Sequence, residues 1–381
     1  MSCVSMKKKV LQVQLRYNVN ESDLAEQVVV GMMSRGLDVT TLFLRGKPSD
    51  GMPVSKAQQS FYFDCRSADL KGFRRWFVIF RLYRFCRANG FDAVIAHRFK
   101  PISMMMWLSL ALRSIVFIGV QHGIGDYDRA FRRLEAGLLI SRRWKLVGVS
   151  RAVTAYLQNR VHAFNTRNTV TINNAIDIDR AKSIMLPAQE ARVALGIPQD
   201  RLVVGCIGRL VPVKGHATLV TAFSSIADDY PDALVAIIGE GRSRSELEEL
   251  VLRYGLEGRV LLLGARDDAL KYVKAFDVFA MPSFSEGLPL ALLEALAGAR
   301  PVIGSDIDSL RPILEDSGGL QFKVGDPSEL ARVLSEMISK SPEQREAMGE
   351  FGHDYLCRAH GIDEFRSNYL NLISTMGGCR S

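Results

Sequence analysis

Short apolar runs rich in β-branched residues recur along the whole chain, each parted from the next by enough residues for a helix. In the first half they fall at 9–15, 38–44, 93–96, 115–120, 146–149 and 170–172. In the second half they fall at 202–207, 233–238, 260–263, 278–281 and 301–303. Nearly continuous apolar strands joined by helices make parallel sheets covered on both faces. At 381 residues the chain exceeds the span of one ordinary core. We therefore expect an α/β protein of two doubly wound, Rossmann-like domains facing across a cleft. The first covers residues 1–172 and the second 173–355, with the seam near Asn173-Asn174-Ala175-Ile176-Asp177. Open α/β sheets bind ligands beyond the carboxyl ends of their strands, and a cleft between domains can close over them.

Composition narrows the class. Hydrophobic residues at 48% and charged ones at 24% describe a globular protein. Cysteines at 3, 65, 86, 206, 357 and 379 show no Cys-x-x-Cys spacing, which fits reduced thiols and argues against a zinc site. The apolar run 10–13 is too short for a signal-peptide core and ends at Arg16. Residues 102–120 are the best membrane-span candidate, but Arg113 inside them would cost roughly 2.5–3.5 kcal/mol near a bilayer centre. Pro101 instead predicts a helix to about 112, with a buried strand after it. The expected location is therefore cytoplasmic. The formal charge of +8 hides a division: residues 1–170 carry 27 Lys/Arg against 11 Asp/Glu, a balance of +16, and residues 171–381 carry 22 against 30, a balance of −8. Two halves of opposite sign face different partners.

The second half carries the densest chemistry. After the strand at 278–281 comes Ser283-Phe-Ser-Glu286-Gly287-Leu288-Pro289-Leu290-Ala-Leu-Leu-Glu294. A helix opens near Pro289, a favoured first helical residue. Glu286 sits on the loop, and Glu294 lies about one turn into the helix. Between them are amides at a helix N-terminus, which attract anions. Carboxylates that accept hydroxyls, beside amides that hold phosphate, suit a sugar nucleotide. A second phosphate-type loop, Gly208-Arg209-Leu210-Val211-Pro212-Val213-Lys214-Gly215, follows the strand at 202–207. Arg209 can grip phosphate oxygens through its planar fork, and Lys214 adds a point charge. Fixed cations there would stabilise a departing diphosphate. Gly239-Glu240-Gly241 and Gly264-Ala265-Arg266-Asp267 follow two further strands. They form either a base pocket at the same sheet edge or ordinary turns.

These segments, with the closing Gly298-x-x-Pro301-Val302, resemble the retaining glycosyltransferases of the GT-B fold. The group is family 4, the "glycosyl transferases group 1" enzymes. Asn174-Ala175-Ile176-Asp177 resembles that family's interdomain Asn-Gly-Val-Asp. The match spans most of residues 170–325 and is thinner before them. It implies that Arg209 and Lys214 hold the donor diphosphate and that Glu294 binds the ribose hydroxyls. It implies that Glu286 faces the donor sugar, with Gly208 and the Gly287, Leu288, Pro289 and Leu290 segment close by and Arg266 on the donor side. His122, in Gln121-His122-Gly123, matches a family histidine at the sugar's reactive side. Without the family, a satisfied polar residue at a strand end explains it as well. His97 after the preceding strand supports the cleft wall. By the same analogy the last helix, about 356–381, packs back on the first domain. The family needs no divalent metal and no cofactor. Three Asp-x-Asp triplets (Asp126/Asp128, Asp177/Asp179, Asp306/Asp308) are read as solvated loop acids.

Two departures stand out. The family's Gly-Gly loop after the first strand is replaced by Arg16-Tyr17-Asn18-Val19-Asn20-Glu21-Ser22, whose bulk prevents close backbone approach. Side chains of Arg16, Asn18, Asn20 or Glu21 would then serve the acceptor. Ala175 in place of a linker glycine implies a negative φ.

Residues 71–87 interleave cations with aromatics. The spacing of Phe73, Trp76, Phe77, Phe80 and Tyr83 predicts a helix packing its aromatic face on the sheet, with arginines outside. The alternative is a face resting on anionic lipid, which would place the protein on the cytoplasmic side of a membrane. The function expected is a sugar transfer from a nucleotide-sugar, UDP favoured over GDP-mannose, to a glycan or lipid-linked acceptor such as lipopolysaccharide core or surface polysaccharide. A GT-B relative with epimerase chemistry is the runner-up. A basic nucleic-acid-binding protein is disfavoured by the lack of any recognised signature, and an NAD dehydrogenase by the lack of Gly-x-Gly-x-x-Gly after a strand.

Overall fold

The computed structural model describes residues 7–20 and 23–377, so the candidate Glu21, and Cys3 and Cys379, lie outside the described residues. The chain forms two compact units: one runs to Asn174 and resumes at Ile362, and the other is Ala175–Gly361.

The first unit is a seven-stranded parallel sheet. Its strands are β1 (Lys9–Gln14), β2 (Asp38–Phe43), β3 (Gln59–Tyr62), β4 (Ala93–His97), β5 (Val116–Gln121), β6 (Trp144–Gly148) and β7 (Thr169–Thr171), in the order β3-β2-β1-β4-β5-β6-β7. Helices α1 (Leu24–Ser34), α2 (Arg75–Asn89), α3 (Phe99–Ala111), α4 (Ala130–Leu139) and α5 (Arg151–Arg160) link them. Alternation along β1 sets the two faces. Leu11 and Val13 share a core with Leu82 of α2, Ile102 of α3 and Leu139 of α4. Gln12 faces the opposite side, where its Nε2 donates to Ala25 O of α1 at 3.0 Å. Residues 102–120 fall in α3, a turn and β5, and no helix among the described residues is long and apolar enough to cross a membrane.

The second unit is a six-stranded parallel sheet of β8 (Leu202–Ile207), β9 (Ala233–Ile238), β10 (Val260–Leu262), β11 (Val278–Met281), β12 (Val302–Ser305) and β13 (Leu320–Phe322), ordered β10-β9-β8-β11-β12-β13. Its helices are α6 (Ile178–Ile184), α7 (Ala188–Leu195), α8 (His216–Ser224), α9 (Arg244–Arg253), α10 (Leu290–Ala297), α11 (Arg311–Asp316), α12 (Pro327–Ile338) and α13 (Pro342–Ala359). Two hydrophobic clusters cover its faces, one holding Val203, Phe279 and Leu292, the other Val204, Val278 and Leu330. β8 and β11 lie side by side in the middle, so the loops after them are neighbours at one edge.

Three expectations need correction. Strands β3 and β13 carry no continuous apolar run; each is an outermost strand with one partner, which relaxes the demand for burial. The aromatics of residues 73–80 do not pack on the sheet. α2 buries Val78, Ile79, Leu82 and Cys86, a narrower aliphatic stripe that lets the helix lie close, and turns Phe73, Phe77 and Phe80 outward at 78%, 69% and 60% exposure. Arg81 fastens the helix instead, its guanidinium 3.9 Å from the Phe63 ring centroid and donating to Phe63 O at 3.1 Å. The unit boundaries also shift. Ile172 and Asn174 still bond to Gly148 O and Val149 O at the end of β6, so the first unit keeps residues through 174. α13 passes unbroken through 355 and 356, and the return begins with α14 (Ile362–Gly377), which packs on α1. Arg366 of α14 donates through Nε to Gln27 Oε1 at 3.2 Å, and a Cβ on Gly31 of α1 would lie 2.9 Å from Arg366 Cβ.

Candidate donor site and the loop edges of the two sheets

In the second unit the loops after β8, β9 and β10 are laced together by their own backbones. Gly208 N donates to Ile238 O at 3.0 Å, Leu210 N to Glu240 O at 2.9 Å, and Gly239 N to Gly264 O at 2.9 Å. This lacing needs glycine. A Cβ on Gly239 would sit 1.9 Å from Gly208 O, and one on Gly241 would sit 2.2 Å from Leu210 O. The loop after β8 is pressed equally hard on the loop after β11. Gly215 has φ +67°, its Cβ would meet Pro282 O at 1.9 Å, and Phe284 N donates to Val213 O at 2.8 Å. Gly239-Glu240-Gly241 and Gly264 are thus parts of one built edge, not unrelated turns.

That lacing brings Lys214 to Glu286. Their Nζ and Oε1 lie 2.5 Å apart, with side chains 20% and 10% exposed. The thiol of Cys206 lies beneath; burial pushes it up to about 12, with Lys214 lowering it and Glu286 raising it. Arg209 is exposed and makes no ion pair among the described residues. A guanidinium held at this edge without a protein partner is available to an anion. Gly287 and Leu288 are buried in the turn that enters α10 at Leu290, after Pro289 at the N-cap.

Glu294 is the fifth residue of α10. Burial raises its carboxyl to about 7; Asp268 adds to the rise and Arg180 of α6 opposes it. Arg180 is itself bonded to Asp268, 2.9 Å between Nη2 and Oδ2. The structure therefore gathers Glu294 with Arg180 and Asp268, while Lys214 and Glu286 form a separate pair. Arg266 is exposed two residues before Asp268. Sequence reasoning missed Arg180, Asp268 and His216. His216 opens α8 and is buried, and its Nε2 lacks a partner among the described residues. That nitrogen would lie 3.8 Å from a Cβ on Gly208. Burial and then Lys214 lower His216 to about 4, so the ring is neutral. Its position directly after Lys214-Gly215 was the signal available.

In the first unit the corresponding edge is built from side chains. His97 ends β4 and His122 follows β5. His97 Nδ1 lies 3.3 Å from His122 Nε2, and His97 Nε2 lies 3.3 Å from Gln12 Oε1. Because Gln12 spends its Nε2 on a carbonyl, its Oε1 must accept, and the donors follow in turn. His97 carries its proton on Nε2, and His122 donates from Nε2 to His97 Nδ1. His122 then presents a bare Nδ1. Burial lowers His122 to about 3, with Arg98 adding, and holds His97 well below its ordinary value, so both rings are neutral. His97 thus orients His122 and does not merely support a wall.

The glycine-free loop after β1 is held by Tyr17, whose ring packs on Phe43 and Tyr62 at centroid distances of 5.5 and 6.2 Å. Its hydroxyl donates to Pro53 O. Arg16, Asn18 and Asn20 flank it and are exposed. Asp23, also missed, caps α1 by accepting from Ala25 N at 3.0 Å. Burial raises it to about 6; the Ala25 amide opposes that rise, Glu26 adds to it, and Arg98 opposes it. Five of the six Asp-x-Asp acids have protein partners: Asp126 accepts from Gln121, Asp128 from Tyr156 and Arg160, Asp177 caps α6, and Asp306 and Asp308 pair with Arg311, while Asp179 lies in the first turn of α6. Among the described residues no group of three His, Cys, Asp or Glu is placed to hold a metal ion. Ala175 lies outside the left-handed region, as a non-glycine there requires.

Residues 24–180 match the family described as Glycosyltransferase Family 4, and residues 187–354 match that described as Glycosyl transferases group 1. The D-inositol 3-phosphate glycosyltransferase of Corynebacterium urealyticum is 34% identical over 72% of this chain and 70% of its own length. The lipopolysaccharide core biosynthesis glycosyltransferase LpsE of Rhizobium meliloti is 30% identical over 48% of this chain, and the match spans about half, 53%, of that relative. Among solved structures, Anabaena HepE in complex with UDP superposes with a TM-score of 0.76 at 19% identity, covering 97% of this chain and 100% of that one. With both halves matched in order on two parallel α/β units, the chain belongs to glycosyltransferase family 4 of the GT-B fold.

Proposed function

We propose that this protein transfers a sugar from a nucleotide-sugar, UDP-activated, to a glycan or lipid-linked acceptor with retention of configuration and without a divalent metal. The observation that carries the reading is the cationic loop edge: Arg209 exposed beside a Lys214–Glu286 pair, on loops that glycines hold fixed. A preorganised cation costs little reorganisation as charge develops on a departing diphosphate. Lys214 is paired with Glu286, so an arriving phosphate competes for a cation already in place. Glu286 is then released toward the donor sugar, and Glu294 takes the ribose hydroxyls. Gly208, Arg266 and the Gly287–Leu290 turn complete the donor side. The UDP complex of HepE supports a uridine donor in this fold. Departure and attack share one face of the sugar, and His122 works at that reactive side.

The acceptor is read from chemistry of the first unit. Exposed Arg16, Asn18 and Asn20 beside Asp23 offer donors and acceptors for hydroxyls or phosphates. The LpsE relative supports a lipopolysaccharide-type acceptor, and the basic balance of this half supports a partner at an anionic membrane surface. A thermal-shift scan of UDP-, GDP- and ADP-sugars, followed by transfer and hydrolysis assays on those that stabilise, tests the reading. Stabilisation by UDP and its sugars, lost in Arg209→Ala and Lys214→Ala, is the expected result. No stabilisation by any sugar nucleotide overturns it. An epimerase would interconvert its nucleotide-sugar with no acceptor present, a product the same assay resolves.

A further inference from the structure

Two helices of the first unit bare large apolar side chains at helical spacing. Phe73, Phe77 and Phe80, on α2 and the turn before it, are 78%, 69% and 60% exposed; Phe131, Leu134 and Leu138 of α4 are 58%, 64% and 73% exposed. The two helices are tied to each other through α3. Arg75 of α2 bonds Glu135 of α4, 2.6 Å between Nη2 and Oε1. Ser103 and Trp107 of α3 donate to the same carboxylate at 2.7 Å each, and Trp76 packs edge-on against Trp107 with centroids 5.0 Å apart. These bonds lock α2, α3 and α4 together and consume the acid of α4. α2 itself carries four arginines and no acid. Arg74 before it stays 70% exposed, its nearest carboxylate Asp69 at 3.9 Å.

We propose that this α2–α4 face docks on an anionic bilayer, the six apolar side chains entering the headgroup region and Arg74, Arg84 and Arg87 meeting lipid phosphates. Isolated exposed apolar residues need no explanation, but two exposed stripes on helices tied to one another mark an interaction face. Apolar anchors ringed by arginine with the acids withdrawn are the arrangement of a helix lying in a membrane interface. A second copy of the chain is disfavoured as occupant, because a twofold contact would set the arginines of α2 against themselves. The proposal deepens the membrane-partner reading above and is independent of which sugar is moved.

The test is sedimentation of the full chain with vesicles of phosphatidylcholine alone and of phosphatidylcholine with phosphatidylglycerol. Partition onto the anionic vesicles should exceed that onto neutral ones by about tenfold and fall with added salt. The double variant Phe77→Ser/Leu134→Ser should lose about tenfold or more of that partition, whereas Leu252→Ser, altering a side chain 67% exposed in the other unit, should lose none. Arg74→Glu/Arg84→Glu should lower anionic binding alone. Equal partition onto both vesicles overturns the proposal, as does an unchanged double variant. A dimer in sedimentation equilibrium that the double variant dissolves, with no vesicle binding, also overturns it. Thermal shift with UDP on the same variants reports on the donor site separately. A retained shift without vesicle binding sinks the docking face alone, and vesicle binding without a shift sinks the donor reading alone.

Discussion

The two sheets present their loop edges by opposite means. In the second unit the edge is backbone on backbone: Gly239 against Gly208 O, Gly241 against Leu210 O and Gly215 against Pro282 O leave no room for a Cβ. In the first unit it is side chain on side chain, with Gln12, His97 and His122 in a chain and Tyr17 wedged on Phe43 and Tyr62. A backbone edge fixes a cation such as Lys214 rigidly and tolerates little substitution. A side-chain edge can exchange residues and still hold a shape, which suits the acceptor side proposed above.

Substitutions can break this contrast. The largest effect is expected at the cations. Arg209→Ala or Lys214→Ala should each lower turnover by about a hundredfold or more with the fold intact by circular dichroism. Near-normal turnover in both would remove the donor assignment. Next comes Gly215→Ala, which should destabilise the protein by roughly 2–3 kcal/mol in urea unfolding, since the new methyl meets Pro282 O in a left-handed backbone. A neutral result would mean that the β8 and β11 loops are looser than described.

Glu294 supplies a subtler probe. With its carboxyl raised to about 7 by burial, Glu294 stays protonated toward neutrality. The native state thus holds a proton that the unfolded chain releases near the ordinary carboxylate value. Its contribution to stability therefore falls as pH climbs from there to about 7 and levels off above. Ribose hydroxyls are best accepted by the ionised form, so UDP-sugar should bind about tenfold more tightly at pH 8 than at pH 6 by calorimetry. Glu294→Gln should bind more weakly and flatten that profile. A wild-type affinity independent of pH would separate Glu294 from the donor. The smallest effect is expected in the first unit. Gln12→Leu should lower transfer by roughly threefold to tenfold through loss of one orienting hydrogen bond. Nitrogen-15 spectra should show His122 protonated on Nε2 in the wild type and a tautomer mixture in the variant. A wild-type His122 protonated on Nδ1 would reverse the chain of donors from His122 through His97 to Gln12.

Legibility followed the same division. Strands β8, β9 and β11 were read to the residue because each is an apolar run that begins after a charged residue and is closed by glycine or proline. The Lys214 segment was legible because backbone close approach leaves glycine at fixed places, and the Glu286 segment because two carboxylates flank a helix N-terminus. β3 and β13 escaped because an outermost strand needs only one partner and partial burial. The Gln12–His97–His122 chain joins residues up to 85 apart, and no local pattern announces such a bond. Arg180 and Asp268, 88 apart, were invisible for the same reason. The outward turn of Phe73, Phe77 and Phe80 was misjudged because spacing reveals a stripe but not which of two stripes meets the sheet.

The return of α14 to α1 has a practical corollary. Arg366 fills the space over Gly31, and Phe365, Tyr369 and Ile373 are buried at 4%, 2% and 2%. A fragment cut at Asn174 would strip that cover and expose apolar helix to water, whereas residues 175–361 form one contiguous unit. Titrating residues 175–361 with UDP would ask whether the proposed nucleotide recognition survives without the first unit.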